Sequence, residues 1–249
     1  MKIEENERID DLQINGLKII QNLENFCFGI DSILLSDFAS KIKKDANVID
    51  LGCGNGIISI LLCEKTKLKK ITGIEKQKLV ADIANKNIIL NSLEDKMSII
   101  NDDILNAKEY FKPNSIDVVV TNPPYKENNS GLKNENKNKY ISRHETTAKI
   151  SDFLNISKYL LKDNGKVFMV HRPERLIDII EAFRKNKIEP KRIRFVFSKK
   201  EENSKILLIE GTKNGKKFLK VEKPLIIYND NNHYTNEILK IYNKGDLNK

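Results

Sequence analysis

The sequence predicts an α/β fold with a parallel, doubly wound sheet. Strand-like runs rich in β-branched residues alternate with helical patterns through most of the 249 residues, and this alternation implies right-handed crossovers between parallel strands. Four polar or glycine-rich clusters each follow a predicted strand, and ligands bind beyond the carboxyl ends of the strands in such sheets. A chain of this length can also bury a substantial core. We therefore expect one domain with a ligand site at the carboxyl ends of its strands.

The first half of the chain supplies most of the predicted sheet. Residues 1–24 mix charged and apolar side chains, and we expect a short strand or a cap there. Ile30, Ile33, Leu34 and Phe38 then recur at helical spacing, with Asp31 or Ser32 as the predicted N-cap. Apolar, β-branched runs predict strands over 48–51, 71–74, 97–100 and 116–120, and helices are predicted over 57–63 and 81–90.

The second half begins with a polar, Asn/Lys-rich stretch over 126–140. Two interpretations stay open for it: a mobile loop that orders as a lid on substrate binding, or a disordered insertion without a role. Further on, the pattern predicts helices over 150–161 and 174–183, strands over 166–170, 192–197 and 205–210, and a strand with a helical tail from Pro224 onward. We divide the single domain of residues 1–249 into an N-terminal cap and first helix (1–45), a cofactor-binding core (46–212) and a C-terminal extension (213–249).

Composition favours a basic protein of the cytoplasm. The net charge of +9 favours a polyanionic partner such as nucleic acid, although a chain rich in Lys, Asn and Ile could owe its charge to composition alone. No apolar run approaches the ~20 residues of a membrane span, and residues 1–10 lack the apolar segment of a signal peptide. The three cysteines show no metal-binding spacing, so we expect reduced thiols and no metal.

The stretch from Thr121 to Tyr125, sequence TNPPY, follows the fourth predicted strand. Two consecutive prolines fix two φ angles and remove two backbone donors. The side-chain oxygen of Asn122 and the carbonyl of Pro123 could then act as two acceptors beside the flat ring of Tyr125, an arrangement that suits a planar group carrying an NH2. Asn-Pro is also an ordinary turn signal.

A glycine-rich loop after the first core strand indicates a cofactor site. Gly52, Gly54 and Gly56 let the backbone approach a ligand closely at a helix N-terminus, but the acid that starts the loop, Asp50, would repel a pyrophosphate and suits an ammonium group. Glu75 ends the next strand, where it would accept from ribose hydroxyls, and Asp103 ends the third, where it would accept from an adenine amino group. An amino acid joined to adenosine satisfies all three positions, which describes S-adenosylmethionine. Taken alone, Asp50 could cap the next helix, Glu75 could be a surface acid, and Asp102 or Asp103 could begin a turn.

These two motifs, DLGCGNG at 50–56 and NPPY at 122–125, resemble the cofactor and catalytic motifs of class I amino-methyltransferases. Further stretches resemble the tRNA1(Val) adenine-37 N6-methyltransferase family within that group, and they are FCFGIDSILL at 26–35, RHE at 143–145, HRPERL at 171–176 and PLIIY at 224–228. The long Asn/Lys-rich stretch departs from the family pattern. The resemblance implies a Rossmann-like class I methyltransferase fold with a mostly parallel seven-stranded sheet, helices on both faces and a late antiparallel strand.

The resemblance also implies roles for individual residues. The catalytic residues would be Asn122, Pro123, Pro124 and Tyr125. The cofactor-binding residues would be Phe28, Asp31, Asp50, Gly52, Cys53, Gly54, Asn55, Gly56, Glu75, Asp103, Ile104 and Asn122. Candidates for contact with RNA would be Lys126, Arg143, Arg172 and Arg175, with Arg175 alternatively paired to a neighbouring acid, and His144 and His171 would be structural.

The implied reaction is N6-methylation of an adenine in tRNA, with S-adenosylmethionine as cofactor and without metal or membrane. Three alternatives stay open: a protein-glutamine N5-methyltransferase, a ribosomal RNA adenine or guanine N-methyltransferase, and an RNA-binding module with a degenerate cofactor site. About 45 residues precede the glycine loop, too few for the N-terminal helical domain usual in glutamine methyltransferases. No sequence-reading module of a DNA methyltransferase is visible.

Overall fold

The computed structural model describes residues 3–22, 28–125 and 148–242. Its strands are β1 Glu7–Asp11, β2 Lys18–Asn22, β3 Asn47–Leu51, β4 Lys70–Ile74, β5 Met97–Ile100, β6 Ile116–Thr121, β7 Leu161–His171, β8 Ile188–Phe197, β9 Ser204–Lys213, β10 Lys220–Val221 and β11 Leu225–Ile226. Its helices are α1 Ile30–Phe38, α2 Ile57–Lys65, α3 Lys78–Leu90, α4 Ala107–Tyr110, α5 Ile150–Leu160, α6 Leu176–Lys185 and α7 Asn236–Ile241. Short 3-10 turns precede α4 and α6 at Ile104–Asn106 and Pro173–Arg175.

Seven strands form the central sheet in the order β5-β4-β3-β6-β7-β9-β8, and the two-residue strands β10 and β11 extend it along β8. Strand β9 runs antiparallel to both β7 and β8, whereas the other pairs are parallel. The predicted fold class is therefore confirmed, including the late antiparallel strand. The additional strand β10 was not predicted, because two residues carry no periodicity to detect.

Two hydrophobic clusters, one on each face of the sheet, explain why the core strands read as continuous apolar runs. In β6, Val118 and Val120 belong to the cluster that includes α1 and α2, while Val119 belongs to the cluster that includes α5 and α6. Since successive side chains of a strand point to opposite faces, a strand covered by helices on both sides needs apolar residues at every position.

The N-terminal segment forms a hairpin, with β1 antiparallel to β2. The predicted N-cap of α1 was wrong. Helix α1 begins at Ile30 with Gly29 as its N-cap, and Asp31 lies in the first turn. Gly29 has the extended backbone of an N-cap residue. Asp31 is therefore not the cap, and its carboxylate can contact another part of the chain.

Other element boundaries moved by a few residues. Strand β7 is longer than the predicted 166–170 because it begins directly after α5, and α6 starts only after the 3-10 turn at Pro173–Arg175. The predicted loop over 126–140 lies outside the described residues. Within the described part of the chain, no helix is long and apolar enough to cross a membrane.

Candidate functional site

The carboxyl ends of four neighbouring strands lie level with one another. Leu51 at the end of β3 pairs with Ile74 of β4 on one side and with Thr121 of β6 on the other, and Ile74 pairs with Ile100 of β5. The hydroxyl of Thr121 also donates to the carbonyl of Leu51 at 2.9 Å. The residues that follow these strands therefore leave the sheet side by side, as the strand-end argument predicts.

The residues after β3, β4 and β5 line a common cleft. Its lining residues are Gly52, Glu75, Lys76, Asp103, Ile104, Ala148 and Phe153. Four of them were candidates from the sequence, whereas Lys76, Ala148 and Phe153 were missed. Phe153 lies on α5, far along the chain from the motifs, and its spacing marks it only as an apolar residue of an amphipathic helix.

The glycine loop adopts a backbone that requires glycine. Gly52, Gly54 and Gly56 have φ of 69°, 56° and 85°, in the left-handed region that residues with a Cβ avoid. At Gly56, the N-cap of α2, an added Cβ would also lie 2.8 Å from Cε of Met97. The loop can therefore pass close to both a ligand and the β5 strand.

The two remaining residues of the loop, Cys53 and Asn55, have contacts within the protein. Cys53 is buried, and burial raises the pKa of its thiol well above the ordinary value, so it remains a neutral packing group. The backbone carbonyl of Asn55 accepts a hydrogen bond from the side chain of Asn87 at 3.0 Å. The part of Cys53 and Asn55 in cofactor binding stays a prediction.

Asp50 is a buried carboxylate with one free acceptor. Its side chain is fully buried, and Oδ2 accepts a hydrogen bond from Oγ of Ser59 at 2.8 Å. No described residue contacts Oδ1 with a hydrogen bond. Burial, with a smaller contribution from the nearby charge of Glu75, raises the pKa of Asp50 to about 7. A cationic or NH-bearing ligand would satisfy this oxygen and would favour the ionised carboxylate.

Glu75 joins the glycine loop to the second core strand. Its Oε2 accepts from the backbone N–H of Gly54 at 3.0 Å and its Oε1 from that of Gln77 at 2.9 Å. The side chain is 7% exposed, and burial is the main reason that its pKa is raised. Each oxygen keeps a lone pair, so Glu75 can still accept from a ligand in the cleft.

Asp103 has local partners as well as a place in the cleft. Oδ1 caps the following 3-10 turn by accepting from the N–H of Leu105 at 3.0 Å, and Oδ2 lies 3.1 Å from Nζ of Lys76. Ile104 is buried beside it. Asp103 thus begins a turn, which is the ordinary alternative noted from the sequence, and it also lines the cleft.

The Asn-Pro-Pro-Tyr motif, residues 122–125, follows β6 directly and contacts the first helix. Nδ2 of Asn122 lies 3.4 Å from Oδ2 of Asp31, and the hydroxyl of Tyr125 donates to the same oxygen at 2.7 Å. Burial of Tyr125, followed by the charge of Asp31, raises the pKa of the phenol. Pro123 is buried and Pro124 is half-buried. This link between helix α1 and the motif was not predicted from the sequence, since the partners lie far apart along the chain.

The ring of Tyr125 is also contacted from the end of β7. The guanidinium of Arg172 lies 5.0 Å from the ring centroid, and the ring of His171 meets it edge-on at 5.2 Å. One N–H of Arg172 also donates to the backbone carbonyl of Lys205 at 3.0 Å. Arg172 is thus placed next to the motif, whereas Arg175 pairs with Asp178 at 2.6 Å.

His171 is buried and neutral. Its Nδ1 accepts from the N–H of Arg172 at 2.8 Å, and Nε2 has no hydrogen-bond partner among the described residues. Burial, followed by the charge of Arg175, lowers its pKa to about 4. These features agree with a structural role.

The remaining candidates divide into two groups. Phe28 is half-buried, packs against the core cluster and donates its N–H to the side chain of Gln21 at 2.8 Å. Lys126, Arg143 and His144 lie outside the described residues. In the described ranges, no group of three or more His, Cys, Asp or Glu side chains could hold a metal ion.

Comparisons with known proteins agree with this geometry. A tRNA1(Val) (adenine(37)-N6)-methyltransferase from Aliivibrio salmonicida is 26% identical over 140 residues, which cover 56% of this chain and 57% of that relative. A protein of the same name from Photobacterium profundum is 25% identical over 213 residues, covering 85% of this chain and 87% of the relative. The match thus spans under two thirds of the length of the first relative. Both relatives confirm the family resemblance seen in the sequence.

A solved structure supports the fold. A predicted O-methyltransferase from Agrobacterium tumefaciens superimposes with a TM-score of 0.67 at 17% identity, over 86% of this chain and 97% of that chain. A family model described as the methyltransferase small domain matches residues 30–196. Since that match covers most of the chain, including the glycine loop and the Asn-Pro-Pro-Tyr motif, this protein belongs to the methyltransferase small domain family.

Proposed function

We propose that this protein transfers a methyl group from S-adenosylmethionine to N6 of an adenine in tRNA, at position 37 of a valine tRNA. The observation that carries the proposal is the pairing of Leu51 at the end of β3 with Thr121 at the end of β6. Because these two strands end level with each other, the glycine loop after β3 and Asn122 after β6 leave the sheet side by side. Family membership and the two relatives named for this reaction support the chemistry and the substrate.

The residues at the carboxyl ends of the first three core strands fit the proposed cofactor. The free Oδ1 of Asp50 is a buried acceptor that an ammonium group would satisfy. Glu75 keeps lone pairs for ribose hydroxyls. Asp103 and Ile104 line the cleft, where an adenine ring would be held between apolar and accepting groups. When bound, S-adenosylmethionine supplies an electrophilic methyl group on a sulfonium sulfur.

The Asn-Pro-Pro-Tyr motif would hold and orient the target amine. The lone pair of an adenine N6 is delocalised into the ring, so the amine is a poor nucleophile. Acceptance of its two hydrogens by Oδ1 of Asn122 and the carbonyl of Pro123 favours a pyramidal nitrogen with its lone pair directed at the methyl group. The gain comes from orientation and preorganised electrostatics.

The base itself would stack on Tyr125. A base must leave its own stack to reach such a pocket, and this costs little in a single-stranded loop such as an anticodon loop. The net charge of +9 suits an RNA substrate in the cytoplasm. We assign Arg172, Arg175 and Arg143 to contacts with RNA phosphates and Lys126 to the rim of the pocket, with Arg172 the best placed because it already lies beside Tyr125.

One assay separates this proposal from its alternatives. Labelled methyl from S-adenosylmethionine is offered in parallel to bulk tRNA, ribosomal RNA and protein, followed by nucleoside analysis, with Asn122→Ala as control. The proposal predicts label in tRNA as N6-methyladenosine and loss of most label with Asn122→Ala. Label in protein would favour a glutamine methyltransferase, label in ribosomal RNA would change the substrate, and no label without cofactor binding would favour an RNA-binding module.

A further inference from the structure

Asp31 lies between the first helix and the Asn-Pro-Pro-Tyr motif, and its two oxygens have different partners. Oδ1 accepts from the backbone N–H of Ser32 at 3.0 Å, which ties the carboxylate to its own helix. Oδ2 accepts from the hydroxyl of Tyr125 at 2.7 Å and faces Nδ2 of Asn122 at 3.4 Å. One oxygen is therefore held by the scaffold while the other contacts two side chains of the motif.

We propose that Asp31 is a positioning residue that fixes the orientation of the Asn122 amide and of the Tyr125 ring for recognition of the target amine. This inference rests on the proposed function and deepens it, because it assigns to the first helix a task in amine recognition rather than in binding the cofactor. The resemblance by itself would place Asp31 on the cofactor side.

The side chain of an asparagine can lie in either of two orientations. Its amide carries an acceptor oxygen and a donor NH2 of nearly the same shape, and rotation by half a turn exchanges them. Only one orientation of Asn122 can accept a hydrogen from an amine, since the other would bring donor to donor. The motif needs a neighbour that distinguishes the two.

A carboxylate makes that distinction. It can only accept, so the amide atom of Asn122 that faces Asp31 must be Nδ2, and Oδ1 is then directed away from Asp31. The opposite orientation would place an amide oxygen against a charged oxygen. Asp31 therefore keeps the acceptor of Asn122 available for a substrate amine before the substrate arrives, which is preorganisation in the strict sense.

The same oxygen determines where the Tyr125 ring lies. A charge-assisted hydrogen bond at 2.7 Å fixes the hydroxyl end of the ring, while Arg172 and His171 contact the ring itself. A ring fixed at both its tip and its body presents a constant stacking surface, and less entropy is lost when a base stacks on it.

The carboxylate of Asp31 lies close against Gly29. A Cβ at Gly29 would lie 2.7 Å from Oδ1 of Asp31, closer than real Cβ atoms approach an oxygen. A larger residue there would require the carboxylate to shift. Gly29 has ordinary extended backbone angles, so its need for glycine comes from the carboxylate and not from the backbone.

The test compares Asp31→Asn and Asp31→Ala with Asp37→Asn. Asp37 is a matched control on the same helix. Its side chain is 38% exposed, and its partner Lys65, 8% exposed and 3.4 Å away, also donates to the backbone carbonyl of Ile241 at 2.7 Å and keeps that acceptor in the variant. Each variant is assayed for kcat and KM of methyl transfer to RNA, for the Kd of S-adenosylmethionine by calorimetry, and for thermal unfolding.

A second readout does not depend on activity. Selective 15N labelling of asparagine gives side-chain amide signals, and the pair that disappears in Asn122→Ala belongs to Asn122. We expect this pair to shift in both Asp31 variants and to stay unchanged in Asp37→Asn, because only Asp31 accepts from that amide.

The inference predicts that kcat falls about ten- to a hundred-fold in the Asp31 variants, since a hydrogen bond to a charged group is lost, while the cofactor Kd stays within about two-fold. It is overturned if the Asn122 signals do not move, or if the cofactor Kd rises by the same factor as kcat/KM falls, which would make Asp31 a cofactor ligand. If the wild-type protein methylates no RNA, the proposed function fails on its own, and the amide signals still decide whether Asp31 orients Asn122. Should Asp31→Ala not fold, Asp31→Asn carries the same test.

Discussion

Replacement of Asp50 by Asn is expected to stabilise the cofactor-free protein and to weaken its response to S-adenosylmethionine. The folded-state pKa of this buried carboxyl is about 7 against an ordinary value of 3.8. The folded state therefore binds the proton more tightly than the unfolded state does, and stability declines as the pH rises through this range. At about pH 8 the ionised group costs about 4 kcal/mol relative to its protonated form.

The expected size for Asp50→Asn follows from its contacts. The asparagine oxygen can still accept from Ser59, but its NH2 replaces an oxygen that has no partner, and an unsatisfied buried amide costs about 1–3 kcal/mol. We expect a net gain in the free energy of unfolding of about 1–3 kcal/mol at about pH 8. The difference between variant and wild type should grow by about 2–3 kcal/mol from about pH 5 to about pH 8.

The assay is urea unfolding at these two pH values without cofactor, followed by thermal unfolding with and without S-adenosylmethionine. Asp117→Asn is the matched control, because Asp117 is also buried but accepts from Lys43 at 2.8 Å and Lys162 at 2.9 Å, and these hydrogen bonds help to lower its pKa. It should lose stability by a similar amount at both pH values, since its ordinary and folded-state pKa both lie below them. A pH-independent effect of Asp50→Asn, or an undiminished thermal shift with cofactor, would refute the reasoning.

Three further outcomes follow from the geometry. Asn122→Ala should lower kcat about a hundred- to a thousand-fold, as expected for loss of a preorganised polar group, while calorimetry shows an unchanged cofactor Kd. Retained activity at saturating substrate would contradict the proposed role of Asn122 in binding the target amine. His171 has a folded-state pKa of about 4, so the stability it contributes is present above about pH 6.5. About 3 kcal/mol of it is lost as the pH falls towards 4. Urea unfolding of His171→Asn should therefore show a flatter pH dependence in that window, and an equally steep dependence would contradict the pKa shift assigned to His171. Gly56→Ala should destabilise the protein more than Gly16→Ala in thermal unfolding. Both glycines have positive φ, but only at Gly56 would the new Cβ meet Met97. Equal losses of thermal stability would mean that Met97 moves aside.

The central sheet was predictable because its signal is local. Each core strand is a short β-branched run that ends in a polar or glycine residue, and in a parallel sheet the carboxyl ends must meet on one side. That rule places Gly52, Glu75 and Asp103 together from the sequence, and all three line one cleft.

The rest of the site depends on contacts between distant parts of the chain. Lys76 and Phe153 line the cleft because of how a loop and a helix pack over the strand ends, and neither has a sequence feature that distinguishes it from a surface lysine or a core aromatic. The contact of Asp31 with Tyr125 was missed for the same reason. The helix start was misjudged because Asp and Ser are common N-caps, whereas here Gly29 takes that position and leaves the carboxylate for the motif.

The most direct test of the proposed reaction uses two transcripts of a valine tRNA, one natural and one with guanine in place of adenine 37. Both are incubated with the protein and S-adenosylmethionine and are then digested for mass analysis of nucleosides. We expect N6-methyladenosine in the first transcript and none in the second. Equal methylation of both transcripts, or a methyl group on a different atom or base, would contradict it.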